Sequence, residues 1–311
     1  MTQLSTSGAR VIDPILSTVA QGYQNSELVG SNIFPMVAVG QRAGKIIQFG
    51  KESFMAYDTA RAPGSAVKRI TSAYSSLSYG ITDHALSAVV PVELQEEAQA
   101  VPGISLASAA VRTVQDILRL RLEVEQATLA TNSGNYTNTI GLTTTARWSD
   151  FSGVSDPVSD IETAKEAIRS STGKRPNTVI MGPAVYKALR QHPKIVDRIK
   201  YTGRDVPTPE LLAMLFGVSK VLVGDAISAT DAGVFSDVWG KNVIVCYTEQ
   251  SGIADLGRPT FGYTYQLAGY PFVAQSYYDH TTRSWLYDVA DAVRPVIASS
   301  LAGYLITTAV A

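Results

Sequence analysis

The stretch Lys174 to Tyr201, KRPNTVIMGPAVYKALRQHPKIVDRIKY, decides how the rest of the chain is read. Thr178 to Met181 is a short apolar strand, and Gly182-Pro183 follows it. Proline there opens a helix without losing a backbone hydrogen bond, because the first helical N–H has no intrahelical acceptor. That helix carries Val185, Tyr186 and Leu189 and stops at His192-Pro193, with His192 placed where a cation favours the helix dipole. Lys194 to Ile199 is a second helical piece. Upstream, Val158 to Ser171 reads as a helix: Ser159 and Glu162 have capping-box spacing, Ile161, Ala164 and Ile168 share one face, and Gly173 closes it. Downstream, Thr208-Pro209 starts a helix through Phe216, and Gly217 releases the chain into a strand from Val218 to Val223. Pro157 to Asp225 is therefore an α/β lobe in which helices cover strands.

With 311 residues, the chain exceeds what one hydrophobic core serves, which predicts two lobes. A net charge of -1 excludes the strongly basic signature of a protein that grips nucleic acid by its phosphates. Charged residues make up 17% and hydrophobic ones 45%, so much of the surface is expected to be covered by other subunits; a large monomeric enzyme would share that composition. Cys246 is the single cysteine, which leaves no intrachain disulfide and no cysteine-based zinc site. No basic-then-apolar secretion pattern occupies Met1 to Arg10, and Pro295 to Ala311 falls short of the roughly 20 apolar residues of a membrane span. A soluble, intracellular product without membrane association is expected.

Residues 1 to 40 mix polar residues with brief apolar pieces and read as an extended arm. From Gln41 to Ser72, strand-like runs at Lys45 to Phe49 and Val67 to Ile70 flank a turn at Pro63-Gly64, where proline presets φ and glycine accepts positive φ. So few apolar side chains cannot bury a hairpin, which is expected to project. It is basic: Arg42, Lys45, Lys51, Arg61, Lys68 and Arg69 stand against Glu52 and Asp58. A hairpin solvated in a monomer would carry the same charges. Tyr74 to Val92 alternates like a strand, and Glu93, Glu96 and Glu97 follow with no basic residue near them in sequence. Ser105 to Thr131 is the longest helix. One stripe holds Ala107, Val111, Val114, Leu118, Leu122 and Leu129; another holds Leu106, Ala110, Ile117, Leu120 and Val124. Arg112, Asp116, Arg119 and Glu123 line a charged edge between them, so the helix is expected to be sandwiched; a core helix of an enzyme would look alike. Asn132 to Ser155 reads as a loop or small hairpin, with an Asn135-Tyr136-Thr137 sequon expected to be idle. Aromatics dominate Phe261 to Tyr287 and alternate as strands do.

KRPNTVIMGPAVYKALRQHPKIVDRIKY, followed by LAMLFGVSKVLVGDA, resembles the axial domain of tailed-bacteriophage major capsid proteins of the HK97-like fold, which bacterial encapsulins share. The opening GRPTFG and the closing PVIASSLAGYLI resemble that family's final strands, and the order of elements matches from about residue 30 onward. The resemblance implies an α+β subunit with an N-arm (1–40), an extended loop (41–73), a peripheral domain (74–154) holding a spine helix (105–131), an axial domain (155–257) and a return to the peripheral domain (258–311), where the C-terminus completes the peripheral sheet. It implies hexamers and pentamers that close an icosahedral shell around double-stranded DNA, without sequence-specific DNA binding. A portal, a separate scaffolding protein and a decoration protein would be its partners, assembly would occur in the bacterial host cytoplasm, and the product would reside in the virion. An encapsulin-type compartment and an unrecognised cytosolic α/β enzyme are the alternatives.

No Walker A, G-x-G-x-x-G, G-x-S-x-G or H-E-x-x-H motif is present. His84 and His280 each follow an aspartate, and strand neighbours point to opposite faces, which argues against catalytic pairs. The aromatic cluster lacks interleaved basic residues beyond Arg258 and Arg283, so packing is favoured over base stacking. Neither a catalytic residue nor a cofactor or metal is expected, and no isopeptide crosslink. Inter-subunit contact is assigned to Lys45, Lys51, Arg61, Lys68 and Arg69 on the loop of one subunit and Glu93, Glu96 and Glu97 on its neighbour, since opposite charges register interfaces.

Overall fold

The computed structural model describes residues 28–48, 60, 75–99, 105–199, 207–249 and 260–311. In chain order these hold β1 (Met36–Val39), β2 (Ala43–Gln48), β3 (Ser75–Gly80), β4 (Thr82–Pro91), α1 (Val92–Gln99), α2 (Leu106–Thr131), β5 (Asn138–Gly141), α3 (Pro157–Thr172), β6 (Thr178–Met181), α4 (Pro183–Gln191), α5 (Pro193–Ile199), α6 (Pro209–Phe216), β7 (Lys220–Val223), β8 (Ile227–Ala229), β9 (Phe235–Asp237), β10 (Val243–Cys246), β11 (Gly262–Leu267), β12 (Phe272–Val273), β13 (Tyr277–Asp279), β14 (Ser284–Ile297) and β15 (Gly303–Thr307).

Two larger sheets organise these elements. The first has the order β5-β15-β10-β6-β7, with β6 and β7 parallel and β10 antiparallel to both of its neighbours. Every residue of β6 and β10 is buried, which is why both read as unbroken apolar runs. Alternation along them feeds two cores. Val179, Met181, Val243 and Val245 pack with α3, α4 and α6, while Ile180, Ile244 and Cys246 meet Val29, Ile33, Phe34 and the end of α2 on the opposite face. In the second sheet the 14-residue β14 pairs antiparallel with β4 along Ser284 to Val293 and with β11, β12 and β13, and β1 runs parallel to β11. α2 covers it through Val111 and Val114 against Ala88, Val90, Tyr287 and Val289.

Local signals place α3 to α6 as the sequence predicts, with two adjustments. The cap of α3 is Asp156, whose Oδ1 accepts the Ser159 N–H at 3.2 Å. Pro157 fits the first helical turn, so the preceding residue becomes the cap, and Glu162 pairs with Lys165 at 2.7 Å instead. β7 begins at Lys220 rather than Val218, because the Val218 N–H closes α6 on the Ala213 carbonyl at 3.0 Å, beyond the left-handed Gly217.

The C-terminal expectation needs correction. β11 to β14 do join the sheet that carries β4, but β15 inserts between β5 and β10 in the other. Gly303, Tyr304, Leu305 and Ile306 are all buried, and a strand buried on both faces fits a sheet interior between two layers better than a half-exposed rim. β5 comes from the segment read as a loop, and beside it the fully buried Trp148 donates its indole N–H to Asp160 at 2.8 Å. α2 is sandwiched only in part: Val111, Val114 and Leu122 are buried and Leu106 and Ala110 of the second stripe pack against a core, whereas Ile117 of that stripe is 50% exposed. Glu123, expected on the charged edge, is 2% exposed.

Candidate functional site

Two surface elements carry the features that the sequence singles out. The first is the hairpin base, β2 paired antiparallel with β3 from Ala43↔Gly80 to Gln48↔Ser75. Lys45 lies exposed on β2; Lys51, Arg61, Lys68 and Arg69 lie outside the described residues, as do residues 1–27. Tyr79 of β3 stacks on Tyr265 of β11 with ring centroids 4.2 Å apart, and Arg42 reaches Asp83 at 2.5 Å and the Tyr270 hydroxyl at 3.4 Å. The Gly44 backbone lies so close to the Tyr79 ring that a Cβ there would meet it at 2.8 Å. Burial pushes the Tyr265 phenol up to about 12, so it acts as a neutral stacked ring. These contacts fix β2 and β3 to the second sheet.

The acidic patch is real but differently surrounded. Glu93 and Glu96 are exposed on α1, and Glu97 belongs to the same helix. Far along the chain, Arg283 approaches Glu93 to 3.6 Å, with both side chains largely in solvent. Exposed pairs contribute little stability, yet this one offsets part of the negative charge from within the same subunit, which sequence proximity did not reveal.

Two further elements project from the first sheet. β8 and β9 form a hairpin closed by the Gly233 N–H on the Thr230 carbonyl at 2.8 Å, with Gly233 at φ 74°. Ile227 and Val234 are exposed on it and Phe235 is 70% exposed. The loop 150–155 exposes Phe151 and Val154 and is pinned by the Ser155 hydroxyl, 2.5 Å from the Asp150 carbonyl and 2.9 Å from His192 Nε2. His192 is buried, and desolvation together with the Lys194 charge lowers its pKa. It is therefore a neutral side chain rather than the dipole-favoured cation expected at a helix end; its carbonyl accepts the Ile195 and Val196 N–H groups.

The residue that sequence reasoning missed is Glu123. Its Oε1 accepts the N–H of Val29 and of Gly30, both at 3.0 Å, and the Trp239 indole N–H at 2.8 Å; Oε2 accepts the Gly30 N–H at 2.9 Å. Burial raises its pKa against the pull of these donors. In sequence nothing separates Glu123 from Arg112, Asp116 and Arg119 on the same charged edge. Among the described residues no group of three or more His, Cys, Asp or Glu side chains could hold a metal ion, and no helix is long and apolar enough to cross a membrane.

The arrangement gathers exposed apolar and charged surfaces, and comparison with known proteins gives the chain a family. The family described as phage major capsid protein E matches residues 127–242. Over 307 residues, 97% of this chain and 97% of the relative, the sequence is 36% identical to the major capsid protein of Burkholderia phage BcepMu. This chain belongs to the phage major capsid protein family. The capsid protein is also similar to the crystal structure of a phage-related protein from Bordetella bronchiseptica RB50, with 43% identity and a TM-score of 0.82 over 97% of this chain and 98% of that one. A capsid subunit of the cyanophage P-SCSP1u superposes with a TM-score of 0.57 at 9% identity, over 98% of this chain and 92% of that one. That likeness is one of fold, and the fold is the α+β, HK97-like one.

Proposed function

We infer that this capsid protein self-assembles into hexamers and pentamers that close an icosahedral shell around double-stranded phage DNA. The observation that supports the reading is the number of large apolar side chains left in solvent: Phe235, Val234 and Ile227 on the β8–β9 hairpin, Val154 on the loop 150–155, Met214 at 72% exposure on α6, and Val89, Leu94 and Ile117 on β4, α1 and α2. Solvent gives no reason to expose so many, and contact with further copies does. In this reading the second sheet with α2 is the peripheral domain, and the first sheet is the axial domain with β5 and β15 added to it. The arm expected over residues 1–40 is shorter in this reading, because Val29, Ile33, Phe34 and β1 belong to the body; 41–73 are a basic loop whose Lys45, Lys51, Arg61, Lys68 and Arg69 are drawn to Glu93, Glu96 and Glu97 of a neighbour. A portal and a separate scaffolding protein are its partners in the particle, which is assembled in the host cytoplasm and ends as the virion.

Electron microscopy of the purified full chain, with and without co-expressed scaffolding protein, tests this. Closed shells containing capsomers are expected. A single species of one-subunit mass under both conditions overturns the assembly reading.

A further inference from the structure

Glu123 lies within α2, and all four of its hydrogen bonds come from neutral donors. A carboxylate taken out of water costs several kcal/mol unless its oxygens are well satisfied, so these donors account for its burial. They belong to two segments far from it in sequence. Val29 and Gly30 lead out of residues 1–27. Trp239 follows β9 directly, where the Val238 N–H returns to the Ala226 carbonyl at 3.0 Å to close the root of the β8–β9 hairpin.

Both approaches are close enough to exclude a side chain. A Cβ on Gly30 would stand 2.2 Å from Gln126 Oε1 and 2.7 Å from Glu123 Oε2. A Cβ on Gly224, at the end of β7, would stand 2.1 Å from the Trp239 indole. The indole therefore has no slack on its other side, and tilting the hairpin about its root must carry the indole N–H with it. That N–H shares Oε1 with the Val29 and Gly30 amides, so it cannot move without disturbing them.

We propose that Glu123 is a positioning residue for assembly: it fixes the course of the chain at Val29 and Gly30 and ties that course to the seating of the β8–β9 hairpin. A contact formed at the exposed Ile227, Val234 and Phe235 is thereby transmitted to Val29 and Gly30. The proposal rests on the assembly reading for its purpose, but the coupling itself is a property of the single subunit.

Amide hydrogen exchange of the full-length soluble subunit tests it with two variants. Trp239→Phe keeps an aromatic ring but removes the indole N–H together with the rest of the five-membered ring; Glu123→Gln keeps the side chain's shape and places an amide N–H₂ among donors. Each is expected to accelerate exchange at Val29 and Gly30 about tenfold, the scale of one lost hydrogen bond to a charged group, while exchange in β6 and β10 stays at the wild-type rate. If Trp239→Phe leaves Val29 and Gly30 unchanged, the coupling is refuted; if Glu123→Gln does so, the positioning role is refuted too. Should Glu123→Gln fail to fold, Trp239→Phe alone decides. Wild-type protein that never forms particles would overturn the assembly reading and leave the exchange result standing.

Discussion

His192 joins α4 to α5 with its ring buried and Nε2 2.9 Å from the Ser155 hydroxyl. Its pKa is held below the ordinary histidine value, chiefly by desolvation. An unfolded chain therefore takes up this proton first, near about pH 6.5. Over the window between that value and the lower folded one the unfolded state binds more protons, so stability falls as pH falls. His84, also lowered by burial, acts in the same direction. Thermal melts of His192→Gln, which keeps a side-chain partner for Ser155 and cannot ionise, should lose less stability between pH 7 and pH 5 than the wild type. Equal losses would show that His192 does not contribute. At Gly30 the effect is steric. Gly30→Ala is expected to cost about 1–3 kcal/mol as an overpacked site, read as a lowered midpoint in urea, because the new methyl must displace both Gln126 and Glu123.

Among elements, the β8–β9 hairpin and the β2–β3 base separate stability from assembly. Phe235 is exposed, and surface replacements usually stay within about 0.5 kcal/mol. Phe235→Ser should thus leave the melting temperature nearly unchanged while lowering the yield of closed shells in micrographs; a full yield would remove the hairpin from the interface. Tyr79→Ala removes the stacked partner of Tyr265, which is worth about 0.5–1.5 kcal/mol beyond area. The expected result is faster amide exchange in β2 and β3 with α3 to α6 unaffected. The boundaries of α3 to α6 were legible because proline, glycine and capping residues act within one turn. The loop root was not: Tyr79 and Tyr265 are neighbours only after β11 has paired into the sheet.

For the whole molecule, the pairing proposed between the basic loop of one copy and Glu93, Glu96 and Glu97 of the next would set how copies register. Reversing Glu93, Glu96 and Glu97 to lysine should reduce shell yield several-fold, more at low salt than at high, because screening weakens exposed charges beyond about 10 Å at 0.1 M. Assembly indifferent to both reversal and salt would dismiss the pairing. Arg283 beside Glu93 makes Glu96 more consequential than Glu93. Two lobes were expected from length, and two larger sheets are present. Their membership was only partly readable, since the closing strand follows an apolar pattern that either sheet could accept.

The sequence by itself determined the helices and short strands between residues 157 and 223, the basic and acidic stretches, and an order of elements that names the family. All of these depend on residues a few positions apart. Only the tertiary structure decided that β15 enters the sheet of β6 and β10, and that Glu123 faces inward. Pairing and burial join groups remote in the chain, 94 positions from Val29 to Glu123 and 116 from Glu123 to Trp239, and a carboxylate's pattern in a helix does not say whether water or four backbone and indole N–H bonds will satisfy it.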